Sequence, residues 1–127
     1  MIKLYLAVML GGSLGAAARY GVAQWSAAHW PKLFPLPTLI VNLLGCLLIG
    51  VLYGLWLDRP DLSPILRQTL VVGFLGAFTT FSTFSLEMFA ALQEGKWGMA
   101  LVGILAHVAG SILMTALGFL TFSLVRG

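Results

Sequence analysis

Four long apolar stretches dominate the sequence and limit what it can fold into. They cover residues 4–25, 36–57, 62–92 and 97–125. Each reaches or exceeds the roughly 20 residues that a helix needs to cross the ~30 Å hydrocarbon core of a bilayer. Soluble domains are far less apolar than this chain, in which 60% of residues are hydrophobic and only 9% are charged. The sequence predicts an all-α integral membrane protein, with residues 1–127 forming a single domain of four transmembrane helices.

The third apolar stretch contains a segment that suits a lipid-facing helix poorly. Residues 76–85 read GAFTTFSTFS, with five hydroxyl side chains and three phenylalanines. Non-helical backbone at membrane depth must be buried in protein or face a watery cavity, because unsatisfied peptide groups are costly in hydrocarbon. The stretch is also longer than one straight crossing requires. We expect two half-helices joined by an unwound piece, with free ends and carbonyls that coordinate small ions.

Side chains suited to an anion path recur at helical spacing. Phe81 and Phe84 fall on one face of the resumed helix, beside a stripe of hydroxyls that includes Ser82 and Thr83. The edge of a phenyl ring is the positive end of its quadrupole, so rings turned edge-on suit a small anion. A second polar stripe is predicted on the fourth helix, where three polar residues follow one another at intervals of four. Its members are His107, Ser111 and Thr115.

Three further polar residues inside the stretches each have two interpretations. Arg19 either anchors the first helix or contacts a permeating anion, since charges inside spans are costly and usually paired. Asn42 either hydrogen-bonds another helix or donates its amide hydrogens to an anion. Glu87 either lies near the membrane interface or is functional. In the first stretch, Gly11 and Gly15 predict a face that packs closely on another helix.

The positive charges show almost no bias between the two sides of the predicted bundle. Four spans place four Lys or Arg residues on the side of the N terminus and three on the opposite side. The positive-inside rule therefore gives little preference of orientation. Two oppositely inserted copies could then pair about a twofold axis in the membrane plane, which predicts an antiparallel homodimer. The two sets are Lys3, Arg59, Arg67 and Arg126, against Arg19, Lys32 and Lys96.

Several classes of function receive no support. The basic residues are scattered singly, so nucleic-acid binding is not indicated. The sequence contains no nucleophile–base constellation and no metal-ligand spacing, so an enzyme is not indicated. A proton-coupled multidrug exporter of similar length needs a carboxylate deep in its cavity, and the first stretch has none. That exporter and a non-transporting membrane scaffold remain the alternative hypotheses.

Taken together, these residues resemble the Fluc fluoride channels, also called the CrcB family, over nearly the whole chain. The third-stretch motif Gly76-x-x-Thr79-Thr80-Phe81-Ser82-Thr83-Phe84 is the most specific part of this resemblance. The other parts are Gly12-x-x-Gly15-Ala16-x-x-Arg19, Thr38-Leu39-x-Val41-Asn42-x-x-Gly45 and Gly110-Ser111.

The resemblance implies a dual-topology homodimer in a bacterial plasma membrane, with two antiparallel pores for the passive, selective export of fluoride. It also implies a structural sodium ion at the dimer centre, held by the backbone carbonyls of Gly76 and Thr79. Phe81 and Phe84 would line the pores and Asn42 the vestibule. The implied polar track comprises Ser82, Thr83, Ser111 and Thr115. Arg19, Thr38, Gly12 and Gly15 fall within the family's motifs and are expected to be structural.

Overall fold

A computed structural model describes residues 1–31 and 35–127, and its regular elements in these ranges are all helical. Four helices are long and apolar enough to cross a membrane, as the sequence predicts: Ile2–His29, Leu36–Asp58, Pro64–Gln93 and Trp97–Arg126. We call the first two α1 and α2. Lys32, which counts in the predicted charge balance, lies outside the described residues.

The third span is a composite of several helical pieces. It consists of α3 (Pro64–Arg67), a π-helical segment (Gln68–Leu75), α4 (Gly76–Phe78) and α5 (Phe81–Gln93), and α6 (Trp97–Arg126) forms the fourth span. The side chain of Ser63 accepts a hydrogen bond from the backbone N–H of Ile65 and so caps its start. The π-helical segment was not predicted, because the periodicity of an apolar stretch does not reveal a local change of helical pitch.

Between α4 and α5 the backbone leaves the helical conformation at Thr79 and Thr80. Their φ and ψ angles are −89° and 160° for Thr79, and −151° and 121° for Thr80. We call these two residues the interruption. The prediction of a discontinuous third span is confirmed, and the helix resumes at Phe81. Gly76, the first residue of the hydroxyl-rich segment, is itself helical.

Glycines allow the closest helix contacts. A Cβ on Gly11 would overlap the carbonyl oxygen of Thr69, and one on Gly15 would overlap that of Phe74. The predicted small-residue face of α1 therefore packs directly on the π-helical segment. Close backbone approach of this kind drives helix association in lipid, where no hydrophobic force acts between helices.

Large apolar side chains lie mostly on the outside of the bundle. Leu113, for example, is 68% exposed and Leu124 is 81% exposed, while the buried core is small. This distribution is the reverse of a soluble domain, which hides such residues from water. It is the distribution expected of helices that face lipid.

Candidate functional site

Asn42, on α2, binds both backbone groups of the second residue of the interruption. Its Oδ1 accepts from the N–H of Thr80 at 2.8 Å, and its Nδ2 donates to the carbonyl oxygen of Thr80 at 3.0 Å. Unwound backbone needs such partners because it has lost its helical ones. These bonds agree with the hydrogen-bonding interpretation of Asn42, and donation to an anion stays a prediction.

Threonine hydroxyls restart the helix after the interruption. The Oγ1 of Thr80 accepts from the N–H of Thr83 at 3.2 Å, so that Thr80 is the N-cap of α5. The same oxygen lies 3.1 Å from the Oγ1 of Thr83. One residue earlier, the hydroxyl of Thr79 donates to the carbonyl of Leu75 at 2.9 Å. The hydroxyls of Thr79, Thr80 and Thr83 thus form hydrogen bonds within the third span itself.

Arg19 anchors the other side of the interruption. Its Nε donates to the carbonyl oxygen of Ala77 at 2.9 Å, which joins α1 to the last turn before the backbone unwinds. The carbonyl of Ala77 lies in the last turn of α4, where the following backbone no longer supplies helical N–H donors. This contact agrees with the interpretation of Arg19 as an anchor. Direct contact of Arg19 with an anion stays a prediction.

The redirected donors leave two carbonyl groups at the interruption without their helical partners. In a continuous helix Gly76 would accept from the N–H of Thr80, but that N–H donates to Asn42 instead. Thr79 would accept from the N–H of Thr83, which donates to the hydroxyl of Thr80. Neither carbonyl accepts a backbone hydrogen bond among the described residues. Both residues border a recess of about 160 Å³, and their oxygens are of the type that hard cations prefer.

An open cleft of about 350 Å³ lies against the interruption. Phe81 and Phe84 meet there edge to face, with ring centroids 5.5 Å apart and an interplanar angle of 68°. Phe81 is 77% exposed, whereas Phe84 is 7% exposed and packs into the bundle. The residues lining the cleft are Asn42, Cys46, Thr79, Thr80, Phe81, Phe84, His107, Val108, Ser111 and Ile112.

Five predicted pore residues therefore meet in one cleft, and four do not line it. Ser82 is exposed on the outside of α5, and Thr83 is bound to Thr80. The carbonyl of Thr115 lies against Gly50, which places this turn of α6 in contact with α2. Glu87 accepts a hydrogen bond from the buried hydroxyl of Thr38, which joins α2 to α5. Roles for these four side chains in a pore stay predictions.

The sequence reasoning did not identify Cys46, Val108 and Ile112 as lining residues. Cys46 lies one turn after Asn42 on α2, and Val108 and Ile112 each follow a predicted polar residue on α6. Helical spacing from Asn42 would have found the cysteine. The two aliphatic residues carry no chemical signal that separates them from lipid-facing ones.

Comparison with known proteins identifies the family of this chain. Residues 6–119 match the family described as "CrcB-like protein, Camphor Resistance (CrcB)". A protein of Marinobacter nauticus named "Fluoride-specific ion channel FluC" is 63% identical, over 96% of both chains. Proteins with the same name from Stutzerimonas stutzeri and Chromohalobacter salexigens are each 50% identical, over 89% and 95% of this chain and 88% and 91% of their own. The resemblance read from the motifs is confirmed: the chain belongs to the CrcB family.

Proposed function

We propose that this protein is a fluoride-specific ion channel, which lets fluoride leave the bacterial cell passively across the plasma membrane and so relieves its toxicity. Membership of the CrcB family, with relatives named as fluoride channels, supports this function over the exporter and scaffold hypotheses. The observation that carries the proposal is the cleft at the interruption, where phenyl rings, an amide and hydroxyls meet inside a four-span bundle.

The chemistry of the cleft suits an anion that must pass rather than stay. Fluoride is small and tightly hydrated, so its passage requires donors that replace water. No Lys or Arg lines the cleft among the described residues, and conduction requires sites that do not bind too tightly. Ser111 offers a neutral donor there, while the edges of Phe81 and Phe84 add a weak positive field.

An antiparallel homodimer with two pores is part of the proposal. The near-equal charge on the two sides of the bundle permits both orientations. The 77% exposed ring of Phe81 and the open cleft leave one wall of the path unbuilt in a single chain. A second, inverted copy would supply that wall, and twofold symmetry would then produce two equivalent paths.

A structural sodium ion at the dimer centre also fits the residues present. The carbonyl oxygens of Gly76 and Thr79 would hold it, because both have lost their helical donors and both residues border the recess. Two subunits would contribute two carbonyls each, giving four oxygen ligands. When bound, the ion would supply a fixed positive charge close to the anion paths.

The proposal is tested by measuring fluoride efflux from liposomes that contain the purified protein. A channel predicts rapid efflux driven by a potassium diffusion potential alone, with no proton gradient, and little chloride efflux under the same conditions. Efflux that requires a proton gradient would support the exporter hypothesis. If liposomes that contain the protein retain fluoride to the same extent as protein-free liposomes, the result would support the scaffold hypothesis.

The phenyl rings give a prediction of moderate effect. Phe81→Ile and Phe84→Ile are each expected to reduce fluoride flux by roughly three- to tenfold, the factor that corresponds to one lost ring-edge contact. Cross-linking should show that the dimer survives in both variants. Phe89→Ile is the matched control, since Phe89 is exposed on α5 and does not line the cleft. Wild-type flux in both cleft variants would contradict the assignment of these rings.

A further inference from the structure

We propose that His107 is a positioning residue that orients the amide of Asn42, and through it the interruption, by accepting a hydrogen bond at an unprotonated Nδ1. The link of this role to flux rests on the proposed channel function, whereas the hydrogen bonds themselves do not. The Nδ2 of Asn42 lies 3.1 Å from the Nδ1 of His107. The contact joins α6 to α2 directly beside the unwound backbone.

The backbone of Thr80 fixes which way round the amide of Asn42 lies. A peptide N–H can only donate, so the amide atom 2.8 Å from it must be the oxygen. A peptide carbonyl can only accept, so the amide atom 3.0 Å from it must be the nitrogen. A flipped amide would place donor against donor and acceptor against acceptor, and it would lose both bonds.

The orientation of the amide in turn fixes the protonation of His107. The second hydrogen of the Asn42 Nδ2 points to the imidazole, and an amide nitrogen cannot accept. The Nδ1 must therefore be the acceptor, which places the ring hydrogen on Nε2. An imidazolium carries hydrogens on both nitrogens and would oppose a second donor to the amide. At Nε2 no protein partner among the described residues competes for a different tautomer.

Packing restricts the position of the ring. His107 is only 4% exposed, and the ring of Phe84 lies against it with centroids 4.3 Å apart and an interplanar angle of 31°. The chain of contacts from His107 to Asn42 to Thr80 is therefore held at both ends. Removing the imidazole acceptor would leave one amide hydrogen unpaired and the amide held by the backbone of Thr80 alone.

Nitrogen-15 NMR on the full-length protein in lipid tests the tautomer without any flux measurement. The chain has two histidines, so His29→Gln leaves His107 as the only labelled imidazole. We expect one unprotonated nitrogen at Nδ1 and one protonated nitrogen at Nε2, with a contact between Nδ1 and the labelled side-chain amide of Asn42. A proton on Nδ1 would overturn the proposal.

Rescue by an acceptor distinguishes positioning from simple packing. His107→Leu removes the acceptor and is expected to lower fluoride flux about tenfold, as expected when a buried donor is left unpaired. His107→Gln retains an acceptor oxygen and should recover most of that loss, and His29→Leu is the control at an exposed histidine. Equal losses in the Leu and Gln variants, or no loss in either, would overturn the proposal.

The two measurements separate failure of this proposal from failure of the proposed function. If the wild-type protein does not conduct fluoride, the channel proposal fails, and the NMR measurement still decides whether His107 orients Asn42. If His107→Leu does not fold, the tautomer and the His107→Gln variant decide. Wild-type flux together with a proton on Nδ1 would reject the role of His107 alone.

Discussion

Replacing Asn42 with leucine is expected to reduce fluoride flux about a hundredfold and to lower the free energy of unfolding by about 2–4 kcal/mol. Leucine has a similar volume but provides neither the acceptor for the N–H of Thr80 nor the donor for its carbonyl. Both peptide groups would then lack partners beside the cleft, and the N–H of Thr80 would be free to continue the helix by donating to the carbonyl of Gly76. The unwound conformation would be lost in most molecules, and flux would fall with the fraction that keeps it.

Flux of this variant is measured in the same liposome assay, and stability by thermal unfolding in mild detergent. Thr121→Val is the matched control, because it also removes a side-chain hydrogen bond, the exposed one from Thr121 to the carbonyl of Leu117 on α6. The control should behave like the wild type in both measurements. An Asn42→Leu protein with normal flux would show that the interruption does not depend on this amide, contrary to the role argued for it.

Two features of the fold could be predicted from the sequence alone: the four spans and the interruption of the third. Apolar length predicts the four spans, since spanning the bilayer depends on composition over many residues. The hydroxyl-rich segment predicts an interruption in the third span, because such a composition is costly against lipid. Both predictions depend on local sequence, and both are confirmed.

Predictions that depend on distant partners were less complete. The bonds from Asn42 to Thr80 and from Arg19 to Ala77 join residues 38 and 58 positions apart, and no periodicity encodes them. The interruption falls at two threonines rather than at Gly76, because donors from α2 and from a hydroxyl take the N–H groups that would have continued the helix. The composition of the third span thus predicts that its helix is interrupted, and tertiary hydrogen bonds determine at which residues.

The contact between α1 and the third span gives the second prediction of large effect. Gly15→Ala is expected to lower the free energy of unfolding by about 3 kcal/mol and to reduce fluoride flux strongly. The added Cβ would overlap the carbonyl oxygen of Phe74 and lie 2.9 Å from its carbon. Backbone cannot rotate aside as a flexible side chain can, so α1 must move away from the π-helical segment. That displacement would also draw Arg19, one turn later on α1, away from the carbonyl of Ala77.

Gly21→Ala provides a control in the same helix with the same change of atoms. A Cβ at Gly21 meets nothing within 4 Å, so this variant should be neutral or up to about 1 kcal/mol more stable, through the higher helix propensity of alanine. Thermal unfolding in mild detergent compares the two variants, and the liposome assay compares their flux. Equal stability of both would mean that close approach at Gly15 does not hold α1 against the third span. A destabilised Gly15→Ala protein beside an unaffected Gly21→Ala protein would place the loss at that contact, because helix propensity favours alanine at both positions.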